Sequence, residues 1–431
     1  MTERVYLHVG SPKSGTTYLQ RLLRHNQAAL ADQEVLVAGK THVELIHAGF
    51  VVREDIRLEK LPARAAGAWD RIVEQVRGFR GHTAIVSYEL FAGAKRKQAA
   101  EAIASLAGLE VHVVITTRDL GQAVSSAWQE RLKFALDVPL EEWQPPPESR
   151  GPRAEWGWRT MDPASVAARW GAGLPPERVH IVTAPRRGAP RRELWDRFAE
   201  ACSLQDVTVD LDIPPANESL GVKAAEVLRR VNEQDLGQIK GAREQSRWLR
   251  DTLAHTVLAP LDDEPMGITD TQLAEAEERA RTAVAAIGEA GWTVHGDLED
   301  VAATRREGRM PGEVPAEELL DVAVRTIAGL LLELREARTT GPSGDKAQVE
   351  ATPMSLRGSV VLDVAGRRSR TMLDSLSERL DVAEKDLQEG RRLQERVGAL
   401  TDLVNELLLP AGQQDTELLA RSLREYRGDS L

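Results

Sequence analysis

Apolar residues come in short blocks through the first half of the chain, and their spacing changes past its middle. Residues 5–9, Thr83–Ser87, 111–117 and Val179–Thr183 are brief runs dominated by apolar and β-branched side chains, which predicts buried strands. Between them the apolar positions widen to a helical spacing over residues 15–31, 95–106, 120–135, 166–171 and 193–202. Strands alternating with helices imply right-handed βαβ crossovers. The expected fold class is therefore α/β, a parallel β-sheet flanked by helices. A Pro- and Trp-rich stretch, 141–163, interrupts the alternation and reads as a long loop. Beyond about Ser219 the spacing is helical, at 221–234 and Asp270–Ala290, and GWTVHGDLEDV closes the first domain, residues 1–300.

The C-terminal third has another character. Residues 301–338 form a helical extension, in which 317–338 carries a thick apolar face. Residues 339–370 are polar and broken by Gly341, Pro342, Gly344 and Gly366, the composition of a flexible linker. In the tail, 371–431, Leu373, Leu376, Leu380, Ala383 and Leu387 form one apolar series. Leu393, Val397, Leu400, Val404 and Leu407 form a second, out of phase by about one position. Two coiled-coil-like segments with a stutter near Gly390 fit this, as does an amphipathic helix packed on its own domain. The first alternative implies a homodimer through the C-terminal helices, or docking on a partner.

Composition narrows the function. At roughly 100–200 residues per domain, 431 residues suggest two or three units. A net charge of −11 argues against nucleic acid as partner, so any anionic ligand needs a local basic or amide-lined pocket. A single cysteine, Cys202, excludes an internal disulfide framework and a cysteine-built zinc site, and no metal-ligand cluster is apparent. No apolar run approaches the roughly 20 residues that span a bilayer, and the N-terminus lacks a signal-peptide pattern. The expected location is cytoplasmic.

Chemistry enters at VYLHVGSPKSGTTYLQRLL, where a strand passes through a glycine-containing loop into a helix. Gly10, Gly15 and Thr17 fit the phosphate-loop template G-x-x-x-x-G-K-[ST], but Thr16 stands in the lysine position and the lysine comes earlier, at Lys13. Loop and helix N-terminus point amides at an anion whichever side chain follows. The hydroxyls of Ser14, Thr16 and Thr17 are available as further donors. PKSGTTYLQ resembles the 5′-phosphosulfate loop of sulfotransferases that use 3′-phosphoadenosine 5′-phosphosulfate (PAPS). The resemblance implies that Pro12, Lys13, Ser14, Gly15, Thr16 and Thr17 hold the 5′-phosphate and sulfuryl group, with Lys13 against the bridging oxygen. A second family signature is an Arg ending a strand and a Ser eight residues on. VVITTRDLGQAVSSAW supplies Arg118 and Ser126, with Leu120 where the family often has Pro. The pair is implied to bind the nucleotide 3′-phosphate. The start of the chain is similar to actinobacterial-type sulfotransferase-like proteins, and the likeness extends in layout over residues 4–300.

Sulfuryl transfer to a hydroxyl needs a base. Glu89, at the end of the strand in AIVSYELF, matches a Ser-x-Glu of similar enzymes through Ser87. His47, with Glu44 in THVELIHAGF, has the ordinary pKa best suited to neutral pH. Lys40-Thr41-His42 imitates a Lys-x-His signature but lies too early, and is read as coincidence. Trp156 and Trp158 are candidates to stack on an acceptor ring or sugar, and Arg186 and Arg187 to extend the anion pocket. PAPS is the implied co-substrate, with no metal, and the acceptor is a carbohydrate or small-molecule hydroxyl. Two rivals stand beside this. A P-loop kinase would want a basic residue in place of Thr16 and a strand-end Asp for magnesium, for which Asp119 is a poor match. A catalytically silent scaffold with a helical interaction tail would show a damaged loop.

Overall fold

A computed structural model describes residues 2–147, 155–186, 188–213, 219–262, 264–305 and 307–340. Residues 341–370 of the linker expected over 339–370, the tail 371–431 and Arg187 lie outside them, while Thr339 and Thr340 end a helix. Six strands pair in parallel in the order β2-β3-β1-β4-β5-β6. They are β1 (Arg4–Gly10), β2 (Val35–Val37), β3 (Thr83–Ser87), β4 (Glu110–Thr117), β5 (Val179–Thr183) and β6 (Thr293–His295). β1 lies between β3 and β4, with Arg4 opposite Thr83 on one side and Glu110 on the other. The four predicted strands are present. The short edge strands β2 and β6 are three residues each, too brief to carry a period.

The helices through the sheet region are α1 (Thr16–His25), α2 (Gln27–Asp32), α3 (His42–Val52), α4 (Ala68–Gly78), α5 (Arg96–Ala104), α6 (Leu120–Leu132), α7 (Trp158–Met161), α8 (Pro163–Trp170) and α9 (Arg191–Ala201). Then come α10 (Val222–Asn232), α11 (Gly241–Glu244), a π-helical stretch Gln245–Leu258, α12 (Asp270–Ala290) and α13 (Ala316–Thr340). The sheet splits its side chains by the two-residue period of a strand. Val5, Leu7 and Val9 of β1 face Trp69, Ile72 and Val76 of α4 and Trp170 of α8. Tyr6 of β1, Ile85 of β3 and Val114 of β4 face Leu19, Leu22 and Leu23 of α1 and Phe198 of α9. A second, all-helical core joins Val124 and Trp128 of α6 to Leu228 of α10, Leu253, Ala276 of α12 and Val322 of α13. α6 therefore has the sheet's end on one side and a helical layer on the other.

The helix expected over 15–31 is broken at Asn26. Its side-chain amide donates to the carbonyls of Leu22 and Asp210, and its side-chain oxygen accepts from the Asp210 amide. A long-range anchor thus takes the place of helix continuation, the competition to which Asn is prone. Among the described residues, no helix is long and apolar enough to cross a membrane.

Candidate functional site

The loop after β1 opens with Gly10 at φ 137° and closes with Gly15 at φ 89°. Neither position admits a side chain. A Cβ at Gly10 would lie 2.8 Å from the Glu89 carbonyl oxygen, and one at Gly15 would collide with Leu194. Lys13 holds φ 65°, unusual for a residue with a Cβ. The loop is tied to β4: the Ser11 amide donates to the Thr116 carbonyl at 2.7 Å, and the Thr116 hydroxyl donates to the Gly10 carbonyl at 3.1 Å. Ser14 is buried and its hydroxyl donates to the Ser11 carbonyl at 2.6 Å, so it serves the loop itself. Buried His8 closes the underside, meeting the hydroxyls of Ser87 at 2.7 Å and Thr116 at 3.2 Å. Burial pushes His8 down to about 3 and keeps it neutral.

The N-terminus of α1 has Gly15 as its cap and receives no side-chain hydrogen bond. The first amides of a helix need an outside acceptor. Two hydroxyls, those of Ser11 in the loop and Thr117 at the end of β4, are buried without a hydrogen-bond partner. A bound anion would use such donors. Thr16 is buried and Thr17 half-buried in the first turn, and Pro12 is buried in the loop.

β4 delivers Arg118 beside this loop. Its guanidinium donates to the Lys13 carbonyl at 3.1 Å and also to the Gln122 side chain. Arg118, Gln122 and Ser126 line one cavity of about 330 Å³ with Ala184, Arg186 and Ser219. The expected pair is thus in one place, and Arg186 joins it. Arg186 donates to the Glu299 carbonyl at 2.5 Å, which holds it at the rim. Asp119 also lines the cavity, but its carboxylate caps α6 through the Gln122 amide and accepts from Thr304.

Lys13 sends its ammonium to Glu130 at 2.9 Å, and Lys133 donates to the same carboxylate oxygen at 2.8 Å. Glu130 is buried. Burial opposes its ionisation, but the two ammonium groups hold its carboxyl far below the usual range. The motif reading missed Gln122, Glu130 and Lys133. The available signal was spacing: with Ser126 they stand four, four and three residues apart, along one face of α6 and onto its C-cap.

Of the two base candidates, Glu89 begins the 3-10 turn Glu89–Gly93, which Tyr88 separates from β3, with its backbone against Gly10. Its carboxylate accepts from Gln20 of α1 at 2.6 Å. His47 lies on α3 and is half-buried. Burial, then the charges of Arg64 and Arg71, lowers its pKa. Glu44 accepts from Arg71 at 3.0 Å, from Gln75 and from the Lys40 amide, so it braces α3 against α4. Thr41, inside the Lys-x-His look-alike, caps α3 through the Glu44 amide. Trp158 is fully buried beneath Arg279 and Trp143 nearly so, while Trp156 packs partly buried against both the sheet-side and helical cores. The stacking role expected for Trp158 is therefore not open to it.

A family model described as a domain of unknown function (DUF6752) matches residues 376–430, in the tail. None of the curated proteins matches the chain. One solved structure, a sulfotransferase domain from the curacin biosynthetic pathway, is similar over 57% of this chain and 83% of its own, at 13% identity and a TM-score of 0.27.

Proposed function

We propose that this chain transfers a sulfuryl group from PAPS to an acceptor hydroxyl of a carbohydrate or small molecule, by in-line displacement. The observation that carries the reading is the meeting at one edge of the sheet of an uncapped helix N-terminus, Lys13, and the Arg118–Ser126 cavity. A bisphosphorylated nucleotide needs two anion sites at a fixed separation. The loop amides would take the 5′-phosphosulfate, and Arg118, with its planar fork, the 3′-phosphate beside Ser126. Lys13 would neutralise the charge that develops on the bridging oxygen as the S–O bond breaks. The sulfuryl sulfur passes to the acceptor oxygen, 3′-phosphoadenosine 5′-phosphate leaves, and the acceptor proton goes to a base.

Glu89 is the better base, because it lies two residues past the last of β3 with its backbone against Gly10, whereas the charged groups acting on His47 are Arg64 and Arg71. His47 is left with orienting the acceptor. The silent-scaffold alternative sits poorly with a loop whose every implied residue is present.

The test is transfer of label from sulfur-labelled PAPS to a panel of sugar, phenol and aliphatic hydroxyls. Wild type is expected to label one class, and Glu89→Gln to lose about 10²-fold or more in kcat with little change in donor KM. Loss of that size in His47→Gln, with Glu89→Gln unaffected, would move the base to His47. An absence of donor consumption with every class would contradict the enzyme reading and favour the scaffold.

A further inference from the structure

We propose that Glu130 is a positioning residue that holds the Lys13 ammonium against α6 and competes with an incoming anion for it. The inference rests on the phosphosulfate reading of the loop, and it adds a group that the motifs do not contain.

Three observations carry it. First, Lys13 is gripped at both ends: Arg118 donates to its carbonyl at 3.1 Å, and Glu130 accepts from its ammonium at 2.9 Å. Its backbone holds φ 65° under that grip. Second, the two lysines share one oxygen of Glu130, at 2.9 and 2.8 Å. The Lys133 side chain has no exposed surface, whereas that of Lys13 is 19% exposed. When Lys13 leaves, Lys133 remains as counter-ion, so no buried carboxylate is stranded. Stranding one is what makes breaking a buried pair costly. Third, His255 is half-buried, with its Nε2 buried and unpartnered, and lies within the electrostatic reach of Lys133, Glu130 and Lys13. Burial, then Lys133, lowers it to about 4, so it adds no charge at neutral pH. Two ammonium groups and one carboxylate leave the cluster with a single net positive charge.

An anion at the loop must then draw Lys13 away from a charge-assisted hydrogen bond. Glu130 thereby sets how tightly the loop holds a phosphate and how readily product leaves.

The experiment uses the full chain and calorimetry with 3′-phosphoadenosine 5′-phosphate, alongside amine-reactive labelling of Lys13 read by mass spectrometry without ligand. The variants are Glu130→Gln, the paired Glu130→Gln with Lys133→Met, and each of these combined with Lys13→Ala. The paired variant keeps the net charge of the cluster, so it reports the release of Lys13 and not added charge. It is expected to bind the bisphosphate about tenfold tighter than wild type, and to label faster at Lys13. In the Lys13→Ala background the gain is expected to vanish, which a merely structural role would not produce. Equal or weaker binding and unchanged labelling, in whichever Glu130 variant melts cooperatively, would overturn the proposal. If wild type itself ignores the bisphosphate, the cofactor reading fails, and the labelling result alone decides whether Glu130 restrains Lys13.

Discussion

At the scale of single residues, the site depends on places where the backbone allows only one kind of side chain. Gly15 sits in the left-handed region with Leu194 against its α-carbon. Gly15→Ala should therefore cost about 1–3 kcal/mol of stability and also displace the first amides of α1. Denaturant unfolding should show a lower midpoint with an unchanged slope, and any phosphate-type ligand should bind more weakly. A variant as stable as wild type would mean that Leu194 yields easily. Lys13, also at positive φ, differs from the glycines because Arg118 and Glu130 hold it from outside.

At the scale of elements, strand ends and one helix face do the positioning. β4 carries a histidine into a ladder that crosses three strands. His112 Nδ1 meets His180 Nε2 at 2.9 Å, and His180 Nδ1 meets His295 Nε2 at 3.1 Å. Burial, then the neighbouring His112 and His295, pushes His180 down to about 3. Buried His8, also near 3, behaves alike. The folded state thus binds fewer protons at these groups than the unfolded chain, whose histidines titrate near 6.5. Their contribution is complete above that value and is lost as pH falls from about 6.5 towards 3, on the order of 1 kcal/mol per pH unit for each group. Thermal melts of His180→Gln between pH 7 and 4 should show a shallower fall than wild type. An identical slope would place the pH dependence elsewhere. The same elements show what the sequence could disclose. β-branched runs made β1, β3, β4 and β5 legible, the loop could be laid on a phosphate-loop template, and Arg118 with Ser126 came forward only through a resemblance to a family signature. The break at Asn26 was hidden, because its cause is a segment 184 residues away in the chain. So was the burial of Trp158, since a Trp-rich stretch looks the same whether it lines a mouth or fills a core.

At the scale of the whole molecule, α13 belongs to the fold and is more than a leash for the tail. Val314, just before it, and Leu319 and Val322, in its first turns, are buried in the helical core that backs α6. At roughly 1.5–3 kcal/mol per buried side chain, a chain ending at Val301 should be less stable than one ending at Ala337 by on the order of 5 kcal/mol. Comparing their unfolding free energies checks this, and equal values would mean that the core closes without α13. On another face of α13, Leu320, Val324, Ile327 and Leu331 are exposed at alternating spacings of four and three.

The proposed function requires two anion sites at this sheet edge that suit one bisphosphorylated nucleotide. The most direct measurement is metal-free calorimetry of 3′-phosphoadenosine 5′-phosphate against wild type and Arg118→Ala, with ATP as comparator. Wild type is expected to bind the bisphosphate at micromolar or tighter affinity and ATP at least tenfold more weakly, with a loss of about 10- to 100-fold in Arg118→Ala. Binding of ATP in preference to the bisphosphate, or an Arg118→Ala variant that binds as tightly as wild type, would contradict the proposed function.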